Sequence, residues 1–158
     1  MVIGGGNSAI EEADFISKFA SRITIVHQFD KLQANKQAQE KAFSNPKINF
    51  LFEHEPRAFR RNNGKMITEI EKLKTHKRKE IESDGVFIFI GMKPNLDMID
   101  DKLDLDQWGY INTDEDMKTN IEGIFAVGDI KSKKYRQITT AIADGTIAAI
   151  AITRELEK

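Results

Sequence analysis

Met1-Val2-Ile3-Gly4-Gly5-Gly6-Asn7-Ser8-Ala9-Ile10-Glu11-Glu12-Ala13 opens the chain, and the reading of the rest follows from it. An apolar strand end runs into a glycine turn, and the turn runs into an amphipathic helix. Gly4-x-Gly6-x-x-Ala9 has the spacing of the dinucleotide fingerprint, with Ala in place of the third glycine. Gly4 permits the tight turn, and Gly6 lets a pyrophosphate approach the backbone. Ala9 is small enough for close helix–strand packing. The helix start offers unpaired N–H groups and the positive end of a dipole. Further on, Arg22-Ile23-Thr24-Ile25-Val26-His27 reads as the second parallel strand, whose end is where a ribose-reading residue belongs.

Only three residues precede the first glycine, whereas a strand usually runs about five or six. A short central strand would leave ladder partners unpaired. The expectation is therefore a fragment, a truncated product, or a domain that continues upstream.

Beyond the turn, Ala9, Ile10, Ala13, Ile16 and Ala20 fall on one helical face. Glu11 and Glu12 read as helix-dipole and turn residues rather than an acid/base pair, since hydride transfer needs no paired carboxylates. Asp30 to Phe43 reads as a second helix, with Ala34, Ala38 and Ala42 four apart. Asn45-Pro46 ends it, and Ile48 to Phe52 forms a third strand. Phe59 to Gly64 reads as a polar turn. Met66 to Thr75 and Lys79 to Ser83 read as antiparallel strands facing water on one side, in place of a crossover helix. Gly85 to Gly91 suits a buried parallel strand, and the corner Met92-Lys93-Pro94-Asn95 marks a lobe boundary. Asp100 to Asp106 reads as an acidic loop, and Trp108 to Ile111 as a short strand with Trp108 packed inward. Gly123 to Asp129 is a further short apolar strand. Gln137 to Glu157 is a long helix whose expected buried stripe is Ile138, Ala141, Ile142, Gly145, Ala149 and Ile152.

Composition narrows the function. The 158 residues carry a formal net charge of −1, which leaves no basic footprint for nucleic acid. The basic runs Arg57 to Arg61 and Lys72 to Lys79 are interspersed with Glu69, Glu71, Glu80 and Glu82, and read as solvated hairpin faces. No apolar stretch approaches the length of a membrane span. No signal peptide is visible, so a cytoplasmic location is expected. The chain has no cysteine, which excludes a disulfide, a thiolate metal site or a thiol redox centre within it. Its three histidines, His27, His54 and His76, lack metal-ligand spacing.

The three blocks Gly4 to Ala13, Gly85 to Asn95 and Gly123 to Ala149, in this order, resemble the thioredoxin reductase branch of the flavin-dependent pyridine nucleotide-disulfide oxidoreductases. The last block includes Lys134-Tyr135-Arg136-Gln137. The likeness covers nearly the whole chain and only about the second half of a family member. It implies an α/β fold: a Rossmann-like three-layer NAD(P)-binding domain over residues 1–92 with an antiparallel strand excursion. Residues 93–158 would be the C-terminal part of an incomplete FAD-binding lobe. The cofactor-binding residues implied are Gly4, Gly6, Asn7, Ser8, Ala9, His27, Gly91, Gly128, Asp129, Arg136, Gln137 and Ile138, with no catalytic residue and no metal ligand. Asp129 would bond the FAD ribityl chain, and Arg136 and Gln137 would lie near the isoalloxazine at the start of the last helix.

By the same resemblance, the complete enzyme passes electrons from NADH or NADPH through FAD to a disulfide of a thioredoxin-like partner. A homodimer is expected, and the chain alone is expected to be inactive. Two departures matter. In His27-Gln28-Phe29-Asp30-Lys31-Leu32-Gln33, the residues Gln28, Phe29 and Gln33 stand where the family carries arginines for the NADPH 2′-phosphate. Glutamine and phenylalanine cannot make a bidentate guanidinium contact. The family's Cys-x-x-Cys and its FAD-adenylate fingerprint are also missing from this chain. Two alternatives stay open: a ferredoxin-NAD(P) reductase of the thioredoxin reductase type, and a catalytically silent nucleotide-binding or interaction module.

Overall fold

The computed structural model describes residues 1–97, 99 and 102–157, and its contacts divide the chain into two units, Met1–Gly91 and Met92–Lys158. In the first unit, β1 (Val2–Ile3), β2 (Ile23–His27), β3 (Ile48–Phe52) and β7 (Phe87–Ile88) form a parallel sheet in the order β3-β2-β1-β7. The helices α1 (Asn7–Ile16) and α2 (Lys36–Ser44) connect β1 to β2 and β2 to β3. A second sheet, antiparallel, contains β4 (His54–Asn62), β5 (Lys65–Lys72) and β6 (Lys77–Ser83).

Strand alternation explains the three layers, because successive side chains point to opposite faces. Val2 and Ile25 pack with Ala9, Ile10 and Ala13 of α1 and Ala42 of α2. Their neighbours Ile3 and Val26 turn the other way, onto Ile70 of β5 and Ile81 of β6. The antiparallel sheet thus covers the face that a crossover helix covers in a doubly wound domain. A sheet buried on both sides needs apolar residues at consecutive positions, and β2 supplies them.

The expected stripe on α1 holds: Ala9, Ile10 and Ala13 are buried, and Ile16 and Ala20 pack at the edge of the same cluster. The second helix starts later than expected, at Lys36. Asn35 caps it, its Oδ1 accepting from the Ala38 N–H at 2.9 Å. The preceding residues are held elsewhere, with the Gln33 and Ala34 amides donating to the Gly5 carbonyl. The expected polar turn at Phe59 to Gly64 is mostly strand, since β4 continues to Asn62. The turn itself is Asn63-Gly64, with φ of 46° and 80°, the two positive values of a tight hairpin turn. The following strand ends at Lys72, and residues 73–76 make the next turn, closed by the Thr75 and His76 amides on the Lys72 carbonyl.

The apolar run Gly85 to Gly91 pairs parallel to β1 as expected, but it is not buried. Only Phe87 and Ile88 are strand, and they form the sheet's edge. Phe87, Ile88 and Ile90 are exposed, because nothing within the first unit covers that edge.

The second unit contains one long helix, α3 (Ile138–Leu156), and a small cluster of Leu103, Ile111 and Ala126. Two expected strands are reduced to isolated bridges. Ile111 pairs with Leu105 and Lys131, and Phe125 pairs with Lys118. Gly128–Ile130 is a short 3₁₀ turn. Asp100 and Asp101, in the expected acidic loop, lie outside the described residues. Trp108, expected to pack inward, is 72% exposed at the corner of a turn.

The expected buried stripe on α3 is also corrected. Asp144, Ala148 and Ala151 face inward, whereas Ile138 and Ile142 are exposed. Asp144 fixes this rotation: its Oδ2 accepts from the Gly128 N–H at 3.0 Å and from Lys133 Nζ at 2.8 Å. A small-residue face also lets the helix approach the 3₁₀ turn closely, where a Cβ on Gly128 would lie 3.8 Å from that of Ala141.

Candidate functional site

The chain leaves β1 toward β2 and β3 on one side and returns through β7 on the other. The strand order therefore reverses at the C-terminal ends of β1 and β7, the position where open α/β sheets form ligand crevices. A cleft of about 570 Å³ opens there, lined by the glycine loop, His27, Gln28, Gln33, His54, Glu55, Phe59 and Gly91. Gly4, Gly6, His27 and Gly91, singled out by sequence, meet in this one cleft.

Each glycine of the loop stands in a different environment. Gly4 has φ of 129°, and a Cβ there would come 2.1 Å from the Phe89 carbonyl oxygen. Its glycine is required by its own backbone conformation and by the neighbouring Phe89 backbone. A Cβ on Gly5 would lie 2.6 Å from three atoms of the His27 ring. Gly6 differs: its φ is −83°, an ordinary value, and a Cβ there would meet nothing within 4 Å. No intramolecular contact of the described residues asks for glycine at that position.

Gly6 precedes α1, and among the described residues no side chain caps that helix. The first amides of a helix have no intrahelical acceptor. The Asn7 carboxamide is used instead to join two helix starts, its Oδ1 accepting from the Asn35 N–H at 2.7 Å and from Asn35 Nδ2 at 3.2 Å. Ser8 is exposed, and Ala9 is fully buried, its Cβ 3.2 Å from the position a Gly4 Cβ would take. A cradle bounded by Gly6 and uncapped N–H groups fits a pyrophosphate.

Electrostatics bear on what else the cleft admits. Among the described residues that line it, none is Lys or Arg, and the charged residue is Glu55. Glu55 is itself paired with Arg57 at 2.9 Å. His27 is 5% exposed and its Nε2 has no hydrogen-bond partner among the described residues. Burial pushes its pKa down, against a backbone contact from Lys31 that raises it. The ring is therefore neutral at pH 7. Phe29 packs edge-on against it at 5.3 Å.

The remaining sequence candidates gather in the second unit. Asp129, Arg136, Gln137 and Ile138 line a separate hollow of about 530 Å³ at the start of α3, with Ala141 and Ile142. Arg136 is held on two sides: its guanidinium lies 3.6 Å over the Tyr110 ring, and its Nε donates to the Asp129 carbonyl at 3.3 Å. The Gln137 N–H donates to Thr140 Oγ1 at 3.1 Å. Ile138 is 81% exposed, so the hollow has an apolar wall beside its polar groups. Gly128, with φ of 75°, sets the turn that presents Asp129. Burial alone would raise the Asp144 carboxyl, but Lys133 and the Gly128 N–H hold it below its ordinary value.

Sequence reading missed several residues of these sites. Gly5 falls between the fingerprint positions, and only the run of three glycines hinted at it. His54, Glu55 and Phe59 reach the cleft because β4 folds back over it. Tyr110 and Asp144 left no local signal. Among the described residues, no group of His, Asp and Glu is placed to hold a metal ion, and no helix is long and apolar enough to cross a membrane.

Comparison with known proteins extends these observations. Residues 1–145 match the family model for pyridine nucleotide-disulphide oxidoreductase. A "34.2 kDa protein in rubredoxin operon" of Clostridium pasteurianum is 46% identical over 150 residues, 95% of this chain and 49% of that protein. The thioredoxin reductase of Bacillus subtilis (strain 168) is 42% identical over 160 residues, 100% of this chain and 50% of that one. The chain thus spans about half the length of the relatives it matches. The crystal structure of Lactococcus lactis thioredoxin reductase (FR conformation) matches with a TM-score of 0.86 at 41% identity, covering 99% of this chain and 52% of that one.

Proposed function

This chain belongs to the pyridine nucleotide-disulphide oxidoreductase family, and from that premise we propose that it forms part of a thioredoxin reductase-like flavoprotein. It would supply the nicotinamide-nucleotide site and a portion of the FAD site. When bound, the nicotinamide and the flavin carry the electrons, and the complete enzyme delivers them to a disulfide of a thioredoxin-like protein. Residues 1–92 would serve as the nucleotide domain and 93–158 as part of the FAD-binding domain. The working unit would be a cytoplasmic homodimer, and this half of the enzyme would be inactive alone.

The observation that carries the reading is Gly6. A glycine that no internal contact requires, beside an uncapped helix start, is explained by a ligand approaching its backbone. Gly4, Gly6 and the amides of Asn7, Ser8 and Ala9 would receive the pyrophosphate. Gly91 would border the cleft, and His27 would lie at the ribose end. At the second site, Gly128 would present Asp129 to the ribityl chain. Arg136 and Gln137, with Ile138 as apolar wall, would adjoin the flavin ring. The α3 start and the stacked Arg136 favour negative charge there.

The cleft favours the nucleotide without a 2′-phosphate, since among the described residues its lining offers no guanidinium and holds Glu55. A phosphate denied a charge-assisted bond loses about 1.5–3 kcal/mol, or about tenfold to a hundredfold in affinity. Calorimetric titration of the chain with NADH and with NADPH tests this. NADH should bind, and NADPH at least about tenfold more weakly. Binding of neither would refute the nucleotide reading, and preference for NADPH would refute the selectivity.

A further inference from the structure

We propose that His27 serves the nucleotide site as a positioning residue, its ring forming the seat on which the glycine loop rests through Gly5. The inference builds on the nucleotide-site reading above and assigns a cause to the middle glycine of the run.

Gly5 is not in the left-handed region, so its backbone conformation gives no reason for glycine. The reason is underneath it. Three ring atoms of His27, Cγ, Cδ2 and Cε1, each lie 2.6 Å from where a Gly5 Cβ would be. Real Cβ atoms do not approach ring carbons so closely, so a methyl at Gly5 must displace either the ring or the loop. The ring is 5% exposed, and Phe29 packs edge-on against it at 5.3 Å. The loop is pinned too. The Gly5 carbonyl accepts from the Gln33 N–H at 2.8 Å and from the Ala34 N–H at 3.2 Å, and the Gly4 N–H donates to the Val26 carbonyl at 2.9 Å. Lifting the loop would break these bonds and tilt the amides that start α1.

The ring's Nε2 has no hydrogen-bond partner among the described residues, so packing holds that edge of the ring, beside the backbone contact from Lys31. The consequence for the site is indirect but specific. The ring sets the height of Gly5, Gly5 sets the direction of the Gly6 amide, and that amide opens the pyrophosphate cradle. His27 and Gly5 should therefore behave as one unit, with effects on nucleotide affinity that are not additive.

The test is NADH titration by calorimetry into the 158-residue chain and four variants: Gly5→Ala, His27→Ala, His27→Leu and the double variant Gly5→Ala/His27→Ala. Circular dichroism and thermal melting check that each folds. Overpacking at Gly5→Ala should weaken NADH binding about tenfold to a hundredfold. Removing the ring makes room for the methyl, so the double variant should bind about tenfold more tightly than Gly5→Ala. His27→Leu, which restores packing volume without ring nitrogens, should bind about tenfold more tightly than His27→Ala.

A Gly5→Ala chain that binds NADH like the original overturns the proposal. A folded double variant no tighter than Gly5→Ala also overturns it, as does His27→Leu failing like His27→Ala. If Gly5→Ala does not fold, recovery of folding and NADH binding in the double variant supports the seat, and their absence refutes it. Should the unmodified chain take up no NADH, the nucleotide reading falls and the seat with it. NADH uptake without rescue removes the seat alone.

Discussion

Replacing Gly6 by valine should separate ligand binding from folding, and the structure sets the size of both effects. The position has φ of −83° and ψ of −177°, extended backbone that a β-branched residue adopts readily. A Cβ there meets nothing within 4 Å, so the β-carbon of the new residue creates no internal clash. A helix start prefers glycine over an alkyl residue by about 0.5–1 kcal/mol. Reduced freedom of the unfolded chain returns about 0.4–1 kcal/mol. The two nearly cancel, and stability should change by less than about 1 kcal/mol. Binding should change far more. The isopropyl group fills the space a pyrophosphate would use, and each charge-assisted bond denied costs about 1.5–3 kcal/mol. Loss of two such bonds weakens NADH by at least about a hundredfold. Gly4→Ala is the contrasting variant. It adds a positive-φ penalty to a backbone collision with Phe89, together about 3 kcal/mol or more, and should cost stability first. Thermal melting and NADH titration of both variants, side by side, provide the readout. Unchanged NADH affinity in a folded Gly6→Val chain would refute the reasoning, and so would its unfolding.

Other expectations follow from the same structure. Ile10→Ala removes a fully buried side chain between α1 and the parallel sheet and should destabilise the first unit by about 2–5 kcal/mol in urea unfolding. Gln28→Arg places a guanidinium on the cleft lining and should shift the NADPH-to-NADH affinity ratio by about tenfold toward NADPH. Phe29 is the poorer place for it, since that ring packs against His27. The Glu71 carboxyl is lowered to about 2 by Arg57, then His76 and Arg78. As pH falls, the unfolded chain takes up this proton first, so stability is full above about 4.5 and declines toward 2. Urea midpoints measured across that range should fall with pH, and Glu71→Gln should flatten that slope.

What was legible in the sequence was local. The glycine spacing, the α1 stripe of Ala9, Ile10 and Ala13, and the strands β2 and β3 all rest on neighbours within a turn or a pleat, where backbone sterics and periodicity decide. The Asn63-Gly64 turn is equally legible, but the polar residues before it read as turn and form the end of β4 instead. Asp30 to Asn35 carries a helix-compatible pattern, yet the Gln33 and Ala34 amides donate to the Gly5 carbonyl, the Asn35 amide donates to Asn7 Oδ1, and the Asn35 side chain caps α2 instead.

Three decisions belonged to the tertiary structure alone. Periodicity on α3 marked an isoleucine stripe, but the ion pair of Lys133 with Asp144 and the close approach of the 3₁₀ turn rotated the alanine face inward. The run Gly85 to Gly91 is apolar enough to be buried, yet its place at the sheet's edge leaves it exposed. Gly5 and His27 are ordinary residues until the sheet brings them into contact 22 positions apart. The sequence by itself determined the elements and the glycine turn, because those are set by short-range sterics. Which faces are covered, and which glycine answers to a neighbour rather than to a ligand, depended on contacts between distant segments that no local pattern encodes.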